Sequence, residues 1–367
     1  VSFSRSKFIF CADLESGVRE QVQLFLDHPA FEGGTIRIMP DVHAGKGAVI
    51  GFTATLGEKV IPNVIGVDIG CGVAAWELSC ASLDAAALDR FVRREIPAGF
   101  ETRGSVAEDL KRDTLRERIE EVASRTGVDR ERALRSVGTL GGGNHFIEVD
   151  RDDAGKLWLV IHSGSRNFGL HVATHHQEIA LRRQGKMRGL EFLEGNDADA
   201  YIEDMRVAQE YARFNRQTMG RVLVEEFFQE SLSSLRHVES VHNYIDFEDR
   251  VIRKGAIAAR SGLPLIIPWN MRDGSVIGRG RGNADWNLSA PHGAGRQMSR
   301  REAKRQLSVK EFQSSMEGIW TSCVSKSTVD EAPMAYKDSA TIRAWLEPTV
   351  TIEKTLRPVY NFKAAEA

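Results

Sequence analysis

A chain of 367 residues, 42% hydrophobic and 27% charged, has an ordinary globular composition and enough length to bury a sizeable core. No uninterrupted apolar run approaches the roughly 18 residues of a membrane span, which argues against a membrane protein. The 49 basic and 51 acidic residues give a formal charge of −2, a balance that excludes no partner, because a nucleic-acid enzyme can gather its arginines on one face. In chain order, residues 36–39 read as a short strand, and residues 106–124 as an amphipathic surface helix (Leu110, Leu115, Ile119, Val122) stopped by Gly127. Residues 157–161 are apolar and partly β-branched, the pattern of a buried strand. An Arg-rich helix is expected over 170–188, a long helix over 198–232 and a further strand over 263–268. Helices and strands alternate without a steady βαβ rhythm, so the expected class is α+β, with mixed sheets flanked by helices.

The four cysteines Cys11, Cys71, Cys80 and Cys323 show no CxxC spacing. With no apolar leader at the start, they suggest a reducing, cytoplasmic setting and not a disulfide framework. The first residue, Val1, suggests an initiator methionine removed or left unnumbered.

Glycines gather in segments that also carry histidine, cysteine or aspartate: 41–47 (DVHAGKG), 66–72 (GVDIGCG), 138–145 (GTLGGGNH), 162–166 (HSGSR) and 292–296 (HGAGR). Glycine permits positive φ and close backbone approach, so five such loops together suggest one site assembled from distant segments. Asp68, Cys71, His145, His162 and His242 then offer carboxylate, thiolate and imidazole, a set suited to manganese or zinc. A lone histidine is more often a satisfied core residue, and a lone cysteine a small buried hydrophobe. No compact HExxH or CxxC motif is present, so spacing alone leaves this a possible metal site. His171, His175 and His176 are read as partly exposed on the Arg-rich helix. His28 and His237 have no motif around them, and the role of His43 is open.

These strings resemble the RtcB family of RNA ligases, which join a 3′-phosphate or 2′,3′-cyclic phosphate end to a 5′-hydroxyl. The resemblance extends to HNY at 242–244, SR at 299–300 and DEAPMAYKD at 330–338, and spans nearly the whole chain. It implies an RtcB-like fold forming one catalytic domain over 1–367, with the active site built from Gly-rich loops. It implies two Mn2+ ions held by Asp68, Cys71, His145, His162 and His242, and His292 as the catalytic residue that takes GMP from GTP. The implied guanylate site uses Asn144, His145, Phe146, Ile147 and Glu148, with His242 and Asn243. It continues through Pro268, Trp269, Asn270, Met271 and Ser275 to Gly293, Ala294, Gly295 and Lys363. The implied partners are GTP, RNA with these ends, and an activating protein. Glu148 has a physical task there, since one carboxylate can accept from both guanine N1–H and the exocyclic amine.

What is missing agrees with a histidine nucleophile. The Lys-x-Asp-Gly string of lysine-nucleophile ligases has its nearest imitation in Met271-Arg272-Asp273-Gly274, and Gly45-Lys46-Gly47 lacks the P-loop hydroxyl. Arg166, Arg296 and Arg300 are candidates for gripping phosphate oxygens. Basic clusters at 182–188, 250–254 and 296–305 are candidates for RNA backbone contact. The chain departs from the family at residues 268–272, where Pro-Trp-Asn-Met-Arg replaces the usual Pro-Gly-Ser/Thr-Met-Gly turn. Two other functions fit the same residues: a dinuclear metal phosphohydrolase acting on cyclic phosphates or 3′ ends, and a non-catalytic protein that binds RNA ends.

Overall fold

The apolar run at 157–161 forms the strand Leu157–Ser163, buried along its whole length. In this computed structural model, which describes residues 2–4, 7–9, 16–45 and 47–364, that strand lies inside an eight-stranded sheet. Val1, Cys11 and Lys46 lie outside the described residues. On one side the strand pairs antiparallel with Phe146–Asp152, followed outward by Val350–Phe362, Ser275–Gly280 and Pro264–Pro268. On the other it pairs with Gly72–Glu77, which pairs with His237–Val241. Short Trp320–Thr321 runs parallel to Val350–Phe362.

Alternation along these strands separates two environments. Ile147, Val149, Leu159 and Ile161 join Met219 and Leu223 in one apolar core. Phe146, Trp158 and Val160 face the other way, with Val73, Val238, Ile266 and Ile277.

A second, six-stranded sheet is ordered Ser2–Ser4, Lys7–Ile9, Ile36–His43, Ile50–Thr55, Val251–Lys254 and Asn243–Asp246. The chain leaves the large sheet at Val241 and enters the small one at Asn243, so His242 sits at the crossing between them. A further antiparallel pair, Ala256–Ala258 with Ser289–Pro291, ends immediately before His292. The class is the expected one, mixed α and β with largely antiparallel sheets flanked by helices.

Several local expectations change. The helix predicted over 106–124 is broken into Glu108–Lys111 and Leu115–Thr126, because the Asp113 carboxylate accepts from Leu115 N at 2.8 Å and competes with the helical backbone. Gly127, at φ +72°, closes the second piece as expected. The long helix runs Gly195–Arg221, loosens into a π-helical turn over Val222–Phe227 and stops short of Leu232. His176 is buried, not partly exposed, with Nε2 2.8 Å from Asp204 Oδ2. Nor is the cluster at 250–254 a free basic surface: Arg253 is fully buried between Asp246 and Asp249. Among the described residues, no helix is long and apolar enough to cross a membrane.

Candidate active site

The five candidate ligands meet at one end of the large sheet. Cys71 precedes Gly72–Glu77, His145 precedes Phe146–Asp152, and His162 lies near the end of Leu157–Ser163. The ladder sets His162 opposite both Phe146 and Val73, and His242 donates its backbone N–H to Cys71 O at 2.9 Å. Side-chain atoms converge on one sulfur. Cys71 Sγ lies 3.5 Å from His145 Nε2 and 3.2 Å from His162 Nε2, and His162 Nε2 lies 3.3 Å from His242 Nε2. His145 Nε2 also meets Asp68 Oδ2 at 3.0 Å. Two groups result, Asp68–Cys71–His145 and Cys71–His162–His242, each with donor atoms within 4.8 Å and both sharing Cys71.

The far side of each imidazole is pinned. His162 Nδ1 points at Asn144 O (2.9 Å) and His145 Nδ1 at Leu140 O (2.9 Å), with Arg166 Nη1 3.1 Å from that same nitrogen. A backbone carbonyl accepting from Nδ1–H leaves the Nε2 lone pair free for a cation, the usual arrangement behind a ligating histidine. Burial pushes His162 and His242 well below the ordinary imidazole range, so both are neutral. Burial alone would raise the Asp68 carboxyl, but the hydrogen bond and charge of His145, with the charge of Arg166, hold it well below the usual range. Burial and then the Asp68 charge push the Cys71 thiol well up.

Glycine makes room for these groups. A Cβ on Gly164 would stand 2.1 Å from Asp68 Oδ1, and one on Gly141 would stand 1.9 Å from Arg166 Nη2. The loops themselves are clamped by two neighbours on the long helix. Asn215 Oδ1 accepts from Gly138 N (2.7 Å) and Thr139 N (3.0 Å), and its amide reaches Gly164 O (3.1 Å). Arg216 donates to Gly70 O (2.8 Å) and Ser163 O (2.7 Å) while pairing with Glu239.

His292 stands beside this cluster, its ring centroid 5.0 Å from that of His242. Asp41, fully buried on Ile36–His43, holds its Nδ1 at 2.7 Å. A carboxylate accepts from Nδ1–H, which in a neutral ring puts the lone pair on Nε2. His43 stacks 6.5 Å away, and burial lowers its pKa to about 4, keeping it uncharged.

A cavity of about 220 Å³ joins these rings to Asn144, Phe146, Glu148, Pro268, Trp269, Asn270, Met271, the backbone of 293–295, and Lys363. Arg296, Arg300, Glu331 and Tyr336 complete its wall. Glu331, 2% exposed, receives Lys363 Nζ at 2.6 Å, Arg300 Nη1 at 2.5 Å, Arg296 Nη1 at 3.2 Å and the Tyr336 hydroxyl at 2.5 Å. Arg296 and Arg300, expected as phosphate forks, are therefore already held by carboxylates. Glu148 accepts from the Asn361 amide, and burial next to Asp150 raises its carboxyl well above the usual range.

The expected guanylate residues divide. Most line the cavity, but Ile147 points into the opposite core, as alternation from Phe146 and Glu148 requires. Ser275 is buried on its strand away from the cavity wall, its hydroxyl without a partner among the described residues. Asn243 serves the backbone, accepting from Gly255 N at 3.0 Å. His145 sits in the ligand cluster and not on the cavity wall. The unusual turn at 268–272 is closed by the Asn270 side chain, which accepts from Arg272 N and Asp273 N at 3.0 Å. Its bulky residues seat in separate cores, Trp269 with Ile257 and Leu265, Met271 with Phe312 and Met316.

Asp41, Glu331, Tyr336, Asn215 and Arg216 carry structural weight here that the sequence did not single out. Asp41, Glu331 and Tyr336 lay inside quoted strings, whereas Asn215 and Arg216 had no local signal at all.

A cluster of carboxylate, thiol and imidazoles that could hold a metal ion lies beside a histidine oriented by a carboxylate. Residues 28–364 match the family described as tRNA-splicing ligase RtcB. An RNA-splicing ligase RtcB of Escherichia coli K12 is 33% identical, over 89% of this chain and 90% of the relative. One from Mycobacterium tuberculosis is 30% identical over 82% and 89%, and a tRNA-splicing ligase RtcB of Aeropyrum pernix 28% identical over 82% of each. The chain belongs to the RtcB family.

Proposed function

We propose that this protein is a GTP- and Mn2+-dependent RNA ligase that joins 3′-phosphate or 2′,3′-cyclic phosphate ends to 5′-hydroxyl ends through a guanylylated His292, and that residues 1–367 act as one catalytic domain. The observation that carries the reading is the Asp41–His292 pair, in which the carboxylate holds Nδ1 and leaves Nε2 on the side of the cavity that also holds Glu148. The names of the relatives support the substrate class.

Nε2 attacks the α-phosphate of GTP, forming an N–P bond as the bond to pyrophosphate breaks. Positive charge that develops on the ring is offset by Asp41 through Nδ1–H, as in a carboxylate–histidine pair. The RNA 3′-phosphate then displaces the imidazole, and attack by the 5′-hydroxyl on the activated 3′-phosphorus expels GMP. Glu148, when ionised, accepts from guanine N1–H and the exocyclic amine.

Asp68, Cys71, His145, His162 and His242 fit a pair of cations, because imidazole Nε2 atoms and a carboxylate oxygen converge around one sulfur. Bound there, the metal would offset charge on phosphate oxygens and activate the water that opens a cyclic phosphate. Cys71 would lose its proton on binding.

The test is transfer of α-phosphate label from GTP, with Mn2+, to the denatured protein. Label is expected on the wild type, absent from His292→Ala, and slowed on the order of 10²-fold or more in Asp41→Asn. A wild type that opens cyclic phosphates but never takes label would turn the reading to a metal phosphohydrolase.

A further inference from the structure

A second cavity, of about 460 Å³, opens on the other side of the ligand cluster. We propose that it receives the end of a single-stranded polynucleotide, with Phe100 stacking a base and Arg132 and Arg166 holding backbone phosphate. The proposal rests on the ligase reading and adds where a strand lies.

The two three-residue groups that share Cys71 face different cavities. His162 and His242 line the first and Asp68 lines the second, so the same centre is open from both sides. Sealing brings two strand ends and a guanylate to one place. With the first cavity committed to the guanylate, a strand needs another approach, and the second cavity provides it.

Its wall has the chemistry of a nucleic-acid site. Phe100 is 71% exposed at the rim, far more than the other exposed large apolar side chains, Val67 (40%) and Leu170 (40%) of the same wall included. A solvent-facing aromatic ring costs hydration that a base would relieve, and every base has a face to stack. Arg132 Nη2 donates to the Phe100 backbone O at 3.0 Å, which keeps the guanidinium close to the residue that carries the ring. Neither Arg132 nor Arg166 has a carboxylate within salt-bridge distance among the described residues, in contrast to Arg296 and Arg300. Arg166 is bound instead to Gly99 O (3.3 Å) and near His145, with φ +56° and its head directly over Gly141. Such a placement is strained for a non-glycine residue and sets a guanidinium at the cavity floor, where its charge also acts on Asp68.

The same residue opens the helix Arg166–Gln184, which has no side-chain cap at Ser165 and no acidic residue in its first turn. The Asp68 carboxylate already occupies this helix end, accepting from Ser165 N at 3.1 Å. Ring and guanidinium groups together match a phosphodiester strand better than a peptide, whose backbone carries no charge.

The experiment measures binding of two labelled single-stranded RNA oligonucleotides to the full chain, one ending in a 3′-phosphate with its 5′ end blocked, the other in a 5′-hydroxyl with its 3′ end blocked. Phe100→Ala is expected to weaken binding of at least one strand about tenfold, and Phe100→Trp to retain it. Arg132→Gln should weaken the same strand and reduce the salt slope by about one. The strand that suffers identifies the end this cavity holds. Equal binding of both strands by the wild type and all three variants overturns the proposal. Label transfer to wild-type His292 is read in parallel. Normal labelling with RNA binding indifferent to Phe100 defeats only this inference, and absent labelling with Phe100-dependent binding defeats only the ligase chemistry.

Discussion

Two polar clusters share the wall of the first cavity and are built on opposite principles. Around Glu331, every charge is answered: Lys363, Arg296 and Arg300 meet one buried carboxylate, with Asp330 close behind. Around Cys71, the atoms that approach one another are lone-pair donors, with no cation among them. The first cluster is complete and stiffens the wall. On the proposed reading a cation would complete the second, since a metal can take the lone pairs that converge there. Proximity of arginines to a candidate nucleophile is thus a poor guide to phosphate binding unless their partners are known.

The largest effect expected from breaking this contrast is at Cys71. Cys71→Ala should lose most bound metal by elemental analysis while keeping the wild-type circular dichroism spectrum, since only a small side chain common to both ligand groups is removed. Metal content equal to the wild type would remove the sulfur from the site.

Next in size is Glu331→Gln, which leaves three cations facing a neutral amide. Removing one partner from a buried charged network costs about 3–5 kcal/mol, and urea unfolding should report a loss of that order. A change under about 1 kcal/mol would mean that the arginines and Lys363 are solvated and not dependent on Glu331.

A contrast spread over several pH units concerns Asp150, which belongs to neither cluster. It is fully buried, neither oxygen has a hydrogen-bond partner among the described residues, and burial raises its pKa from 3.8 to about 8. Glu148, raised in the same direction, is the titratable neighbour facing it, with Lys363 beyond. The folded protein keeps a proton that the unfolded chain releases, so stability should fall as pH rises from about 4 to about 8. One such group contributes at most about 1.4 kcal/mol per pH unit. Asp150→Asn should flatten that slope in thermal melts without abolishing it, because Glu148 still titrates. An unchanged slope would show Asp150 ionised throughout.

Much of the fold was legible where local physics dominates. The β-branched run at 157–161 and the stop at Gly127 needed no tertiary help. The break at Asp113 and the π-helical end of the long helix depend on which competing hydrogen bond wins, and periodicity cannot say. In the candidate site, the ligand types stood out because glycines surround them, and Gly164 and Gly141 give the reason: no other residue clears Asp68 and Arg166. Ile147 was grouped with Phe146 and Glu148 by adjacency, yet a strand sends neighbours to opposite faces.

By itself the sequence determined the chemical inventory: the imidazoles, the thiol and the carboxylate, the glycine-rich loops that carry most of them, and the missing lysine motif. Only the tertiary structure decided how that inventory is used. Asp41 reaches His292 across 251 residues, and Asn215 and Arg216 hold loops more than 50 residues away. It also decided which arginines a carboxylate grips directly, Arg296 and Arg300, and that Arg166 has none within salt-bridge distance among the described residues. The reason is that the state of a buried polar group is set by its desolvation and by partners within a few ångströms, and for these residues most partners come from distant parts of the chain.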